Sequence, residues 1–141
     1  MKFRFLEHTA DTYIEAYGEN LQEALENAAL AMFEVMTDTR MVKPRLHEEV
    51  KIEAKDREEL LYRWLEQLIV RFETKNRLYS RFAIESIRSS KGAIHLKADV
   101  WGEAYDKDRH PSRVTVKSVT YHRMEILERE EIVTLRFILD I

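Results

Sequence analysis

Apolar residues recur at helical spacing in two segments of the chain. The first segment follows Asn20, a capping residue type, with Glu23 three residues later. The second follows Asp56, with Glu59 in the matching position. The spacing therefore predicts two helices whose apolar stripes are broad enough to cover a sheet. The stripe of the first helix comprises Leu21, Ala24, Leu25, Ala28, Met32, Phe33 and Met36, and that of the second comprises Leu60, Leu61, Trp64, Leu65, Leu68, Ile69 and Phe72.

Alternating apolar and polar residues, which are typical of strands, occupy most of the remaining chain. The predicted strands lie near residues 13–16, 50–54, 82–87, 94–100, 114–127 and 132–141. A turn at residues 89–92 makes the third and fourth strands a hairpin. Helices between early strands, followed by meandering strands, predict an α+β fold with a mixed or antiparallel sheet covered by two main helices. Without a linker rich in Gly, Ser or Pro, residues 1–141 are expected to form one domain.

Composition narrows the classes of function. The chain has 23 basic and 26 acidic side chains and a formal net charge of -3, so there is no global attraction to nucleic acid. We therefore expect weak or no direct RNA binding and favour a protein partner. The absence of cysteine excludes disulfides, thiolate metal sites and cysteine nucleophiles. No apolar run reaches membrane-spanning length, and the start lacks a secretory apolar core, so a cytoplasmic protein with no membrane partner is expected.

The two ends of the chain carry the most informative chemistry. In the last predicted strand, alternation directs Ile141 to the core and Asp140 to the opposite face. An anchored Ile141 would hold its terminal carboxylate in place. Asp11 precedes the first predicted strand. If the fold brings the ends together, three carboxylates surround one point, and they require a cation, a proton or a basic side chain. Such oxygen donors suit calcium, magnesium or manganese.

Each candidate residue also has an ordinary structural interpretation. Asp11 could cap a turn, and Asp140 could be a solvated charge at a strand end. Lys117 could be a surface cation that pairs with an acid. His8 and His122 could be paired histidines of the core or rim; as metal ligands they would suit zinc better than calcium or magnesium. Together with Lys117, both histidines are also candidates for partner contact or activation.

The loop at residues 106–110 is rich in aspartate but is not an EF-hand. It lacks the glycine and the distal glutamate of that motif, and Pro111 stands where the glycine belongs. We interpret it as a solvated hairpin tip that could contact a partner.

Several segments together resemble the archease family, from near the first residue to the last. The most specific are His8-Thr9-Ala10-Asp11, Val116-Lys117-Ser118-Val119-Thr120-Tyr121-His122 and Leu139-Asp140-Ile141. The resemblance implies a small accessory protein of RNA processing that stimulates the GTP-dependent RNA ligase that joins tRNA exons, by promoting its guanylylation and turnover. It also implies a divalent cation held by Asp11, Asp140 and the terminal carboxylate of Ile141, and a role for Lys117 in activation. The resemblance further implies that some family members are also linked to a tRNA cytosine-5 methyltransferase, as a chaperone that modulates its specificity.

The sequence contains no catalytic constellation of its own. With only 3 glycines, neither a Walker motif nor a dinucleotide-binding loop can be assembled. No spacing of Ser, His and Asp identifies a nucleophile and its base. We therefore expect a non-enzymatic cofactor. The rival class is an enzyme, a metal-dependent hydrolase or phosphotransferase that uses the carboxylates.

Overall fold

The computed structural model describes residues 1–6 and 11–141. Within these residues, the structure has seven strands, two α-helices and one short 3-10 helix. In chain order they are β1 (Phe3–Leu6), β2 (Thr12–Gly18), α1 (Leu21–Met36), the 3-10 helix (Thr39–Met41), β3 (Leu46–Ala54), α2 (Arg57–Lys75), β4 (Arg77–Ser90), β5 (Ala93–Ala104), β6 (Ser118–Glu128) and β7 (Val133–Asp140).

The strands form two antiparallel sheets. One has four strands in the order β1-β2-β7-β6, and the other has three in the order β3-β5-β4. The predicted α+β class with two main helices and antiparallel pairing is confirmed. The division into two sheets arises because β7 returns to pair with β2, while β3 and β4 both pair with β5.

Both helices begin where their caps predict. The Asn20 side chain accepts a hydrogen bond from the Glu23 N–H at 2.8 Å, and Asp56 accepts one from the Glu59 N–H at the same distance. In return, the side chain of Glu23 accepts a hydrogen bond from the Glu19 N–H, and that of Glu59 accepts one from the Lys55 N–H, both at 3.0 Å. These reciprocal bonds satisfy N–H groups that a helix start otherwise leaves without partners.

The helices pack against the inner faces of the sheets and against each other. The side chain of Trp64 on α2 is fully buried, and its indole N–H donates to the carbonyl of Leu25 on α1 at 2.9 Å. This bond satisfies the single polar atom of a large apolar side chain, so the two stripes meet in a core without an unpaired donor at their centre. No α-helix in the described ranges is long and apolar enough to cross a membrane.

The strand predicted from residue 114 begins later than its pattern suggested. β6 starts at Ser118, and residues 111–117 have no regular structure. The backbone N–H groups of Arg113 and Val114 donate to the carbonyls of Met36 and Val35, at 3.0 and 3.3 Å. These carbonyls belong to the last turn of α1, where carbonyl groups have no hydrogen-bond donor within the helix. The segment therefore stabilises a helix end instead of extending the sheet.

Candidate functional site

The candidate site lies at one end of the four-stranded sheet, where β2 and β6 begin and β7 ends. Thr12, the first residue of β2, pairs with Leu139, and Ser118, the first residue of β6, pairs with Asp140. β7 therefore carries Asp140 to a point between the starts of two neighbouring strands. The expected approach of the N-terminal segment to the last strand is confirmed.

Asp11 and Asp140 lie at the same end of the four-stranded sheet. Thr12 pairs with Leu139, and each aspartate lies one residue beyond that pair. Both aspartates are partly exposed, as expected of residues outside the core. Carboxylates that lie close together repel each other unless a neutralising charge or proton is present.

Ile141 follows Asp140 at the same strand end. Its partly exposed side chain packs against the hydrophobic core, so the expected apolar anchor is confirmed. The end of β7 is also held by the backbone N–H of Lys117, which donates to the carbonyl of Asp140 at 2.8 Å. A carboxylate on Ile141 would thus extend from a segment fixed by a side-chain contact and a main-chain hydrogen bond.

The donors at this strand end are oxygen atoms. Within residues 1–6 and 11–141, no group of three or more His, Asp or Glu side chains is arranged to hold a metal ion. Asp11 and Asp140 supply two carboxylates, so an ion here would also need the terminal carboxylate, backbone carbonyls or water. Such a shell suits calcium, magnesium or manganese, which prefer oxygen ligands.

The three basic candidates differ in their relation to this strand end. Lys117 has an exposed side chain and lies just before β6, not within a strand as predicted. Its backbone hydrogen bond to Asp140 nevertheless places it beside the carboxylates. His122 is exposed and lies further along β6, in an irregular segment between the pairs made by Thr120 and Glu125. His8 lies outside the described residues.

The irregular segment of β6 distinguishes this strand from its neighbours. Between Thr120 and Glu125 the register with β7 shifts, and Arg123 has a positive φ of 56°. A non-glycine residue in this left-handed region is uncommon, and bulges that contain one redirect side chains. Here Tyr121 stacks on Tyr62 of α2 with ring centroids 4.4 Å apart. The guanidinium of Arg123 lies over Tyr13 at 5.7 Å from the ring centroid.

A buried carboxylate stabilises the same sheet away from the strand end. Glu15 on β2 is 3% exposed and accepts hydrogen bonds from Arg4 at 2.8 Å, Arg136 at 2.5 Å and Tyr17. Burial by itself would raise the pKa of Glu15, but these three hydrogen bonds and the charge of Arg136 hold it below its ordinary value. The alternation of β2 placed Glu15 on the polar face and gave no sign of its burial.

The loop at residues 106–110 is solvated at Lys107 and Asp108, as predicted, but its last residue is buried. His110 is 1% exposed, and its Nε2 lies 2.8 Å from the carboxylate of Glu103. His110 Nδ1 accepts a hydrogen bond from the Asp106 N–H at 2.8 Å, so Nε2 is the atom that donates to Glu103. Arg109 and the Lys43 N–H also donate to Glu103, at 2.7 and 2.9 Å. The loop is thus fixed to β5 by a buried polar network.

These bonds determine the charge of Glu103. Its burial would raise the pKa, but the hydrogen bonds from Arg109, the Lys43 N–H and His110 lower it from 4.5 to about 2. The folded protein therefore stabilises the ionised carboxylate. A side chain with a lowered pKa adds stability above its unfolded pKa, and that stability is lost as the pH falls through the folded value.

Replacing Glu103 with glutamine should lower the free energy of unfolding at neutral pH by about 2–3 kcal/mol, because a buried network loses its anion. The difference from wild type should narrow as the pH falls from about 4.5 towards about 2, where Glu103 itself becomes neutral. Urea unfolding at a series of pH values measures both effects. Glu130→Gln, in the exposed β6–β7 connection, is the matched control. A difference that stays constant across this pH window would contradict the assigned role.

Comparison with known proteins identifies the same family along nearly the whole chain. Residues 3–141 match the model of the Archease protein family (MTH1598/TM1083). The chain is 46% identical to the protein archease of Sulfurisphaera tokodaii and 40% identical to that of Sulfolobus acidocaldarius. Each match covers 99% of both proteins.

Two solved structures share the fold. The solution structure of Methanobacterium thermoautotrophicum protein 1598 superimposes with a TM-score of 0.83 at 40% identity, over 99% of this chain and 98% of that one. The crystal structure of an archease from Thermotoga maritima, described as a possible chaperone, gives a TM-score of 0.61 at 17% identity, over 96% and 94% of the two chains. The latter likeness concerns the fold alone. The family model and the curated relatives establish that this chain belongs to the archease family.

Proposed function

We propose that this chain is a non-enzymatic cofactor that activates a GTP-dependent RNA ligase that joins tRNA exons. It promotes guanylylation of the ligase and allows repeated turnover. Membership of the archease family supports this function, and the register of β2 against β7 is the observation that carries the site. In that register, Thr12 pairs with Leu139, and the two separately predicted aspartates, Asp11 and Asp140, are the next residues along each chain.

The proposed site holds a divalent cation through Asp11, Asp140 and the carboxylate of Ile141. The cation neutralises the repulsion between these groups and supplies a centre of positive charge that can orient phosphate oxygens. Calcium, magnesium and manganese all fit the oxygen donors. The side chain of Lys117 adds a second positive charge at the same strand end, where it can meet a phosphate or an acidic surface of the ligase.

The proposed role predicts that the ligase, and not this protein alone, catalyses the reaction. Purified alone, the protein should show no RNA joining, no nucleotide hydrolysis above background and no methyl transfer. Added in substoichiometric amounts to its ligase with GTP and a divalent metal, it should accelerate formation of the guanylylated ligase over many cycles. Labelled GTP and gel analysis of the ligase adduct provide the measurement.

Variants at the site sharpen this test. Lys117→Ala should remove most of the stimulation, while Lys91→Ala, which removes an exposed lysine from the β4–β5 turn, should leave it intact. Metal-dependent hydrolysis by the isolated protein, abolished by Asp11→Ala, would instead establish an enzyme.

A chaperone for a tRNA cytosine-5 methyltransferase is the second candidate, because the resemblance to the archease family implies this alternative role. Under that function, the protein should keep the methyltransferase soluble or alter its choice of cytosine. It should also leave ligase guanylylation unchanged. Parallel assays with both enzymes separate the two candidates.

A further inference from the structure

The outer face of the three-stranded sheet contains a basic concavity. Strands β3, β4 and β5 line an open cavity of about 420 Å³. Its polar lining consists of four basic side chains, one hydroxyl and one carboxylate, and Ile52 and Leu96, whose side chains are buried in the core, complete the lining. The polar residues are Lys51, Arg88, His95, Lys97, Ser86 and Glu53.

The strand register concentrates positive charge in this concavity. Lys51 on β3 pairs directly with Lys97 on β5, and Arg88 on β4 pairs directly with His95 on β5. Like charges in directly opposite positions destabilise a sheet. The repulsion between Lys51 and Lys97 is thus a cost to stability that an anion bound between them would remove.

The nearby carboxylates neutralise this charge only weakly. Lys97 Nζ lies 3.4 Å from Glu85 and 3.9 Å from Glu49, and Lys51 Nζ lies 3.4 Å from Glu49. All of these side chains are at least 43% exposed, so the pairs are surface ion pairs of small net energy. Arg88 makes no ion pair with any residue in the described ranges. An incoming anion can therefore displace the carboxylates at little cost.

We propose that this concavity binds backbone phosphates of an RNA strand. The planar guanidinium of Arg88 and the ammonium groups of Lys51 and Lys97 are the donor types that bind phosphate oxygens, and the hydroxyl of Ser86 adds a further donor. The open shape suits a strand that lies across the sheet. Because phosphate contacts carry no sequence information, binding is independent of sequence and weakens steeply with salt.

The choice of RNA over DNA rests on the proposed function. The concavity and the proposed metal site can nevertheless be tested independently. The concavity belongs to the three-stranded sheet, whereas Asp11 and Asp140 lie at one end of the four-stranded sheet. The overall charge of -3 limits the affinity, so the local cluster must supply the attraction. The site would give the cofactor a contact with the RNA in addition to its contact with the ligase.

The test measures binding of the isolated full chain to a fluorescein-labelled single-stranded RNA by fluorescence anisotropy at several salt concentrations. Lys51→Gln combined with Lys97→Gln should weaken binding about tenfold and reduce the salt slope by roughly 1.4, because about two phosphate contacts are lost. Lys107→Gln combined with Arg129→Gln removes the same charge from exposed positions elsewhere and should change affinity less than about twofold. The first pair should fold at least as stably as wild type, because it relieves a repulsion.

Four results would overturn the proposal. In the first, wild type shows no saturable RNA binding; in the second, the two double variants lose RNA affinity equally. In the third, equimolar GTP displaces the RNA. In the fourth, a polyglutamate peptide binds as tightly as the RNA, and the Lys51/Lys97 variant weakens that binding as well. Ligase guanylylation measured without RNA is the independent readout. The Lys51/Lys97 variant should stimulate it fully, so failure of the RNA site and failure of the ligase function give different results.

Discussion

Asp140→Asn should reduce affinity for calcium by about 100-fold, or about 3 kcal/mol, and remove most of the ligase stimulation. The amide keeps the shape of the side chain but deletes one of the two carboxylates of the proposed site, which lie where β2 begins and β7 ends. Without metal, the same variant should be about as stable as wild type, because Asp140 is partly exposed and lies outside the core. Thermal unfolding with chelator and with calcium separates these effects. Wild type should gain stability from calcium, and the variant should gain little.

Glu130→Gln is the matched control, since it removes an exposed carboxylate from the β6–β7 connection, at the other end of β7 from Asp140. It should bind calcium and stimulate the ligase like wild type.

An extension of the chain tests the terminal carboxylate. Residues added after Ile141 convert its carboxylate to a neutral amide and crowd the site, so affinity for calcium should again fall. Full affinity in the extended protein would remove the terminal carboxylate from the site. Full affinity in Asp140→Asn would contradict the metal site as a whole.

The orientation of Asp140 and Ile141 was predictable because it depends on a local sequence pattern. Alternation in the last strand placed Ile141 towards the core and Asp140 on the opposite face, and the structure agrees on both. The pairing of β2 with β7 was not predictable from alternation, because the period-two pattern does not specify which strand is the neighbour. The family resemblance supplied that expectation, and the register between Thr12 and Leu139 confirms that the segments meet.

The predictions that failed involve contacts between distant segments. The sequence of the loop at residues 106–110 reads as polar, and only the fold shows that His110 is buried against Glu103. Residues 114–117 alternate like a strand, yet Arg113 and Val114 bond to the end of α1. In both cases a tertiary hydrogen bond determines the structure, and the local sequence pattern does not predict such a bond. The helix starts were predicted correctly because capping at Asn20 and Asp56 involves residues only three positions apart.

Gly102→Ala should destabilise the fold by about 3 kcal/mol or more, because the new methyl group has no space. A Cβ at Gly102 would lie 1.8 Å from the carbonyl oxygen of Leu78 and 2.8 Å from the Cα of Tyr79. These are backbone atoms of β4, so no side-chain rotation can relieve the clash. Gly102 is also paired with Leu46 on β3, which restricts movement of β5 away from β4. The strands would have to separate next to Glu103, whose network fixes the following loop.

Gly92→Ala distinguishes this clash from the general cost of replacing a glycine. Gly92 lies in the β4–β5 turn with φ +76°, and a Cβ there meets no atom within 4 Å. Its replacement should cost only about 1–2 kcal/mol, the penalty for a side chain in the left-handed region. Urea unfolding of both variants gives the comparison. If Gly102→Ala proved no more destabilising than Gly92→Ala, the close approach of β4 to β5 at Gly102 would not be required for the fold.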